Sequence, residues 1–124
     1  GLGYLGTGMS QSSGVFTFPS TGFWYVTFSV NSTLNGDDRA VSSYIETTTD
    51  NSSYSSAATG NTFIKQTSSS VTYTSAHSSI LFDCTNTSTH KVRFSISNVN
   101  SSTSTDGATD RNSTYMTFIR LGDT

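Results

Sequence analysis

The side chains able to do acid, base or nucleophilic chemistry are few and widely spaced. Outside seven Asp, the 124 residues hold two imidazoles (His77 and His90), one Glu (Glu46) and one thiol (Cys84). A Ser–His–Asp grouping can always be named where Ser is this abundant, so naming one carries nothing, and no Gly-x-Ser-x-Gly elbow is present. His90 opens a predicted strand and reads as a solvated strand-end residue. His77, in Ser75-Ala76-His77-Ser78, reads as a loop residue. Cys84 ends an apolar run and is expected to be a buried, inert thiol; a lone Cys excludes an intramolecular disulfide. Glycosidase chemistry needs two carboxylates about 5–9.5 Å apart. Few of the acids here lie outside turns, Glu46 being on a predicted strand. No catalytic residue is assigned.

Metal chemistry has more to work with. No His/Cys spacing suits zinc, but Asp37 and Asp38, and Asp106 and Asp110, gather in two predicted loops. Calcium takes several oxygens from carboxylates, amides and carbonyls, which loops supply. If the strands alternate up and down, the loops Asn31–Asp38, Thr85–Thr89 and Asp106–Asn112 share one end of the domain, opposite the termini. All four Asp would then meet at an apex as a candidate calcium site. Against this, Asp is a common turn residue, and an apex is where turns are. No other cofactor is expected. The same apex is a candidate receptor surface, carried by Asn35, Asp37, Asp38, Asp110 and Arg111, with Tyr54 or Tyr73 near enough to stack on a sugar. The competing reading is that these loops only solubilise.

Those loops need a scaffold, and composition says which kind. Ser and Thr make up 47 residues; hydrophobic residues are 32% and charged residues 11%. Thr and aromatics favour strands, while Ser, Asn, Asp and Gly favour turns. Good helix formers are scarce, with one Glu, two Lys and two Gln. Eight Phe, six Tyr and one Trp offset the lean aliphatic content, each ring able to bury about 150–250 Å². The fold class is all-β, in one domain spanning 1–124. The net charge is −2, with the six basic residues dispersed. That leaves no electrostatic footprint for nucleic acid, and no apolar run is long enough to insert in a membrane. The opening Gly1-Leu2-Gly3-Tyr4 lacks an initiator Met, which reads as a fragment or processed form with a shaft or fibre upstream. Five Asn-x-Ser/Thr triplets, starting at Asn31, Asn51, Asn86, Asn100 and Asn112, reflect composition rather than glycosylation.

Period-two alternation marks the strands. Val15–Phe18 places Phe16 and Phe18 on one face. After the turn Pro19-Ser20-Thr21-Gly22, the segment Phe23–Val30 puts Trp24, Val26, Phe28 and Val30 on one face and Phe23 and Tyr25 on the other. Arg39–Thr47, Ser79–Cys84, His90–Val99 and Tyr115–Leu121 follow. Two weak candidates, Thr62–Lys65 and Val71–Thr74, lie in the poorly patterned stretch between Thr48 and Ser79. Asn100–Ser113 is a long polar loop with room for one short strand. The strands around Trp24 and at the C-terminus are apolar on both faces. A sandwich strand packs one face in the core and meets water with the other, so these two call for a second dry environment. A neighbouring copy of the chain supplies it most simply, with Phe23, Trp24, Tyr25, Tyr115, Met116 and Phe118 as candidate interface or core residues.

The segment from Ser13 to Val30 also resembles the signature of the tumour necrosis factor and complement globular-head superfamily: small, Gly, apolar, Phe, Thr, apolar, Pro, two free positions, Gly, apolar, Tyr, apolar, apolar. Trp24 stands where the family usually has Tyr. Tyr115–Leu121 resembles the family's last strand, with Thr117 in place of a small residue. The middle of the chain matches only in strand count, and the family's first strand is shortened or missing. The resemblance implies a jelly-roll β-sandwich of about ten antiparallel strands, assembled as a homotrimer, non-enzymatic, with partners bound on outer faces and apical loops. Similar heads tip trimeric fibres on bacteriophages and bacteria, and the Ser/Thr/Asn-rich, charge-poor composition suits that extracellular or virion-surface setting.

Three functions are therefore in play. The first is a trimeric fibre or surface head that binds a cell-surface receptor, with glycan as one class. The second is a purely structural trimerisation, capping or capsid-decoration module. The third, and the last in rank, is a carbohydrate-active enzyme.

Overall fold

In a computed structural model of the chain, residues 5–124 are described; Gly1–Tyr4, whose start suggested a processed form, lie outside them. Among the described residues there are nine strands and no helix: β1 (Ser10–Ser12), β2 (Val15–Thr17), β3 (Gly22–Leu34), β4 (Asp38–Thr48), β5 (Ser55–Ile64), β6 (Thr72–Cys84), β7 (Lys91–Asn98), β8 (Ser104–Asp106) and β9 (Tyr115–Gly122). They form two antiparallel sheets packed as a β-sandwich, the first ordered β1-β2-β7-β4-β5. In the second, β3 is central. It pairs with β6 along all thirteen of its residues, and on its other side with β9 over Phe23–Ser29 and β8 over Asn31–Thr33.

The core follows from the alternation. Trp24, Val26, Phe28 and Val30 of β3 are buried against Ile45 of β4, Val92 of β7, Phe18 and Cys84. Rings make up for the sparse aliphatics: Phe28–Phe94 centroids lie 5.0 Å apart, Phe16–Phe94 5.4 Å in a T shape, and Phe18–Trp24 5.2 Å. Each such pair adds about 0.5–1.5 kcal/mol beyond its buried area. A second cluster of Leu34, Val41 and Ile64 closes the far end. Between β1 and β2 the hairpin turns on Ser13 and Gly14, both at positive φ, the two-residue geometry that matches strand twist.

Along one side the two sheets come unusually close. A Cβ on Gly60 of β5 would lie 2.2 Å from the backbone oxygen of His77 on β6. Ser43 and Ser78 meet hydroxyl to hydroxyl at 3.4 Å, and Thr62 and Thr74 at 2.6 Å. These two pairs satisfy each other's hydroxyls, while Ser32 Oγ, buried beside Thr74 on the same inward face, has no partner among the described residues.

This seam overturns part of the strand reading. The Val71–Thr74 candidate, from Thr72 on, and Ser79–Cys84 are one strand, β6, whose inward residues include Thr74, Ala76 and Ser78 as well as Ile80, Phe82 and Cys84. Small inward residues are what the close sheet approach demands, and they hide the alternation. Merging the two segments changes the parity of the chain. Cys84 pairs with Gly22, so the Thr85–Thr89 turn lies at the basal end with the C-terminus, not at the apex. The Asn31–Asp38 loop is also shorter than expected. β3 continues to Leu34, with Ser32 and Leu34 buried, leaving only residues 35–37 as turn. Thr62–Lys65 is the end of the longer β5. The short strand anticipated in the Asn100–Ser113 loop is β8, while β1, of sequence Ser-Gln-Ser, has no hydrophobic alternation to reveal it.

Candidate functional site

The outer face of the β6–β3–β9 sheet carries the features that packing inside one chain does not account for. Strand period places Phe23, Tyr25, Thr27, Ser29, Asn31 and Thr33 of β3 outward. At the basal end the face is mainly apolar, with Asp83 of β6 opposite Phe23. Tyr25 stands between Leu81 of β6 and Ile119 of β9, with Phe23 and Leu121 beside them. Leu81 is 71% exposed, Leu121 59%, Ile119 47% and Phe23 43%. Midway, Thr27 is flanked by Ser79 and Thr117, and from there the face turns polar.

At the apical end it sinks into an open depression of about 530 Å³, floored by Ser29, Asn31 and Ser75 and bounded by Tyr73, Tyr115, Asp106 and Arg111. The wall is the 107–114 loop, held by a hydrogen-bonded clasp. Thr114 Oγ1 donates to the Asp106 backbone oxygen at 2.7 Å and accepts from Asn31 N–H at 3.0 Å. Ser113 Oγ donates to Asp106 Oδ2 at 2.6 Å. Asn31 Nδ2 donates to that same oxygen at 3.3 Å and to Ser113 Oγ at 3.2 Å. Asp106 Oδ1 accepts no hydrogen bond from the described residues. Arg111 Nη1 is shared by both oxygens of Asp110, at 3.0 and 3.2 Å.

The six residues read as interface or core divide between the faces. Trp24 is buried, its Nε1 donating to the Ser20 carbonyl at 3.2 Å, and Phe118 packs inward against Phe16 and Phe94. Met116 lies opposite inward-facing Phe28 and is 39% exposed. Phe23, Tyr25 and Tyr115 face outward, with Tyr115 in the depression rather than in the apolar end.

The four aspartates do not converge. Asp37 pairs with Lys65 and accepts from Gln66 N–H, while Asn35 accepts from the Gln66 amide. The Lys65 hydrogen bond, with that of Gln66, holds the Asp37 carboxyl below its usual value. Asp38 is buried, accepting from Thr103 Oγ1 at 2.6 Å and Ala40 N–H at 3.1 Å. Burial pushes its carboxyl up, but the Thr103 hydroxyl and the N–H groups of Ala40, Asn100 and Val99 outweigh it and leave it below 3.8. Asp106 and Asp110 belong to the depression and its rim. Among the described residues no three His, Cys, Asp or Glu side chains group to hold a metal. The receptor-loop residues therefore split into two patches, Asn35 and Asp37 beside Lys65–Gln66, and Asp110 and Arg111 at the depression.

Tyr54 is not apical. It stands at the basal end of the first sheet, with the Arg93 guanidinium 4.2 Å over its ring, and Glu46 accepts from Arg93 and Ser95 on that face. His77 lies on the exposed outer face of β6, a strand rather than a loop. His90 precedes β7 at the base, its ring nitrogens 3.0 Å from the hydroxyls of Thr85 and Thr89. Cys84 is buried, and burial raises its thiol pKa. The clasp of Asn31, Asp106, Ser113 and Thr114 went unread in the sequence. Its one signal was that the alternation of β3 runs past Val30, making Asn31 an outward strand residue. No family model matches the chain, and no curated protein matches it.

Proposed function

We propose that this chain is the jelly-roll head of a homotrimeric surface or fibre protein, extracellular or on a virion, that binds a cell-surface receptor without catalysing a reaction. The observation that carries the reading is the apolar basal end of the outer face. Leu81, Phe23, Tyr25, Ile119 and Leu121 neighbour one another, with Asp83 beside them, on the outer face of a sheet whose opposite face already holds the core. Exposed areas of this kind mark interaction surfaces. The strand order supports the jelly roll, since β3, β6 and β9 of one sheet alternate along the chain with β4–β5 and β7 of the other. Threefold assembly follows the resemblance to the tumour necrosis factor and complement heads. Recognition is assigned to the apical end, where loops stand on a rigid sandwich. Calcium enters this proposal only as an ion shared between copies around the axis.

The test is sedimentation of the purified chain together with binding to whole cells. A trimer that binds cells supports the head. A trimer that binds none favours the scaffolding role, and a stable monomer removes the assembly on which both rest.

A further inference from the structure

We infer that the apical depression on the outer face of the β3 sheet is a saccharide subsite for a short, uncharged glycan of two or three units. The inference rests on the reading of the chain as a recognition head and names the ligand class. Two tyrosines bracket a floor of small polar side chains. Tyr73 pairs with Thr33 and Tyr115 with Ser29, so they stand on the strands flanking β3, four residues apart along it. At about 3.4 Å per residue and about 4.8 Å per strand, that offset is roughly 16 Å on the diagonal. That backbone offset suits a chain of two or three sugars laid along β3 between the two tyrosines better than a single ring. Tyr73 is 65% exposed, leaving its ring available to stack on the apolar face of a pyranose. Between the rings, Ser29, Asn31 and Ser75 present short donors and acceptors without filling the space.

The charges select the class. Asp106 is fixed by Asn31 and Ser113 through one oxygen only, leaving Oδ1 to accept from a sugar hydroxyl. The Arg111 charge is offset by Asp110, and among the described residues its other N–H groups make no hydrogen bond. Asp106 and Arg111 are the charged residues lining the depression, and with Asp110 paired to Arg111 just outside it the local balance is negative, which disfavours sialylated or sulfated glycans. Hydroxyl-rich neutral sugars match its donors and acceptors.

The intact chain is applied to an array of neutral, sialylated and sulfated oligosaccharides, and the strongest binders are titrated by NMR as mono-, di- and trisaccharides. Neutral glycans are expected to bind, the trisaccharide at least about tenfold more tightly than its monosaccharide. Tyr73→Ala should weaken binding by about tenfold, the loss of a contact of about 1.4 kcal/mol. Asp106→Asn, which keeps the shape and removes the charge, should weaken neutral glycans modestly and relax the discrimination against acidic ones. Both variants should sediment and melt like the parent. A blank array, binding confined to acidic glycans, or neutral binding indifferent to Tyr73→Ala overturns the inference. Cell binding measured on the same samples separates the two claims: cells bound with a blank array leave the head standing and remove the sugar, and cells unbound remove the head itself.

Discussion

Leu81→Asp is the substitution that bears most directly on assembly. The side chain is 71% exposed in the single chain, so the change should leave the isolated fold within about 0.5 kcal/mol of its parent, as surface substitutions usually do. In the assembly the balance differs. Full burial of a Leu side chain stabilises by about 1.5–3 kcal/mol, so seating Leu81 against a sister subunit is worth roughly 1–2 kcal/mol. Placing an unpaired carboxylate in that dry contact, on the same face as Asp83, adds a penalty at least as large. A loss of about 3 kcal/mol per subunit becomes about 9 kcal/mol for three, or more than six powers of ten in the association constant. A trimer constant scales with concentration squared, so the midpoint concentration rises by the square root, about a thousandfold. Sedimentation velocity across the micromolar range reads this directly: the parent should run as a trimer and Leu81→Asp as a monomer with the same far-UV spectrum. If the two sediment alike, the basal apolar end is not the contact, and the reasoning from exposure to assembly fails.

Gly60→Ala should lower Tm by about 4–12 °C. Its Cβ would strike backbone of β6, overpacking costs about 1–3 kcal/mol, and 124 residues at about 2.1 cal/mol/K each give about 4 °C per kcal/mol; an unchanged melt would show that the sheets separate freely at this seam. Thr103→Val should cost about 1–3 kcal/mol at neutral pH by leaving buried Asp38 short of a donor. Because the folded Asp38 pKa lies below 3.8, its stabilisation is present above that value and disappears as pH falls through the folded pKa. The variant, with a higher folded pKa, should begin to lose it at higher pH in urea titrations, and an identical acid profile would count against the buried hydrogen bond. Millimolar calcium should leave Tm unchanged, since the four candidate aspartates are engaged separately by Lys65, Thr103, Ser113 and Arg111. A concentration-dependent rise would point to a site built between copies.

The sequence makes some of this plain and conceals the rest for physical reasons. β7 was legible because large apolar side chains alternate with polar ones, and β3 and β9 because runs rich in aromatic and aliphatic residues stand between polar turns; the core they build is the one the rings foretell. β5 and β6 were not, because where the sheets nearly touch only Gly, Ala, Ser and Thr fit. A strand whose inward residues are Thr74, Ala76 and Ser78 has no hydrophobic signature over half its length. That single gap split β6, reversed the end assigned to Thr85–Thr89, and hid the depression. Its residues come from β3, β6, β8, β9 and the 107–114 loop, and only the correct strand count brings them together. The four candidate aspartates do not group within a single chain for a related reason: closeness at one end of a sandwich does not aim side chains at one point.

A single strand sets the relation between assembly and recognition. Along the outer face of β3 the residues pass from Phe23 and Tyr25 through Thr27 to Ser29 and Asn31, so the apolar contact and the polar depression share one rigid element. Tyr25 and Asn31 are six residues apart, about 20 Å along the strand. In the proposed trimer, subunits joined at the basal end would hold three depressions at fixed spacing around one axis, and three weak contacts with a glycan-coated surface can exceed one by a factor of about 10²–10⁴. This gives Leu81→Asp a second readout that separates geometry from chemistry. Lying outside the depression, the substitution should leave affinity for a free trisaccharide unchanged while cell binding falls by orders of magnitude as the trimer dissociates. Equal losses in both assays would mean that Leu81 supports the depression itself, and equal retention would mean that a single copy already holds the surface unaided.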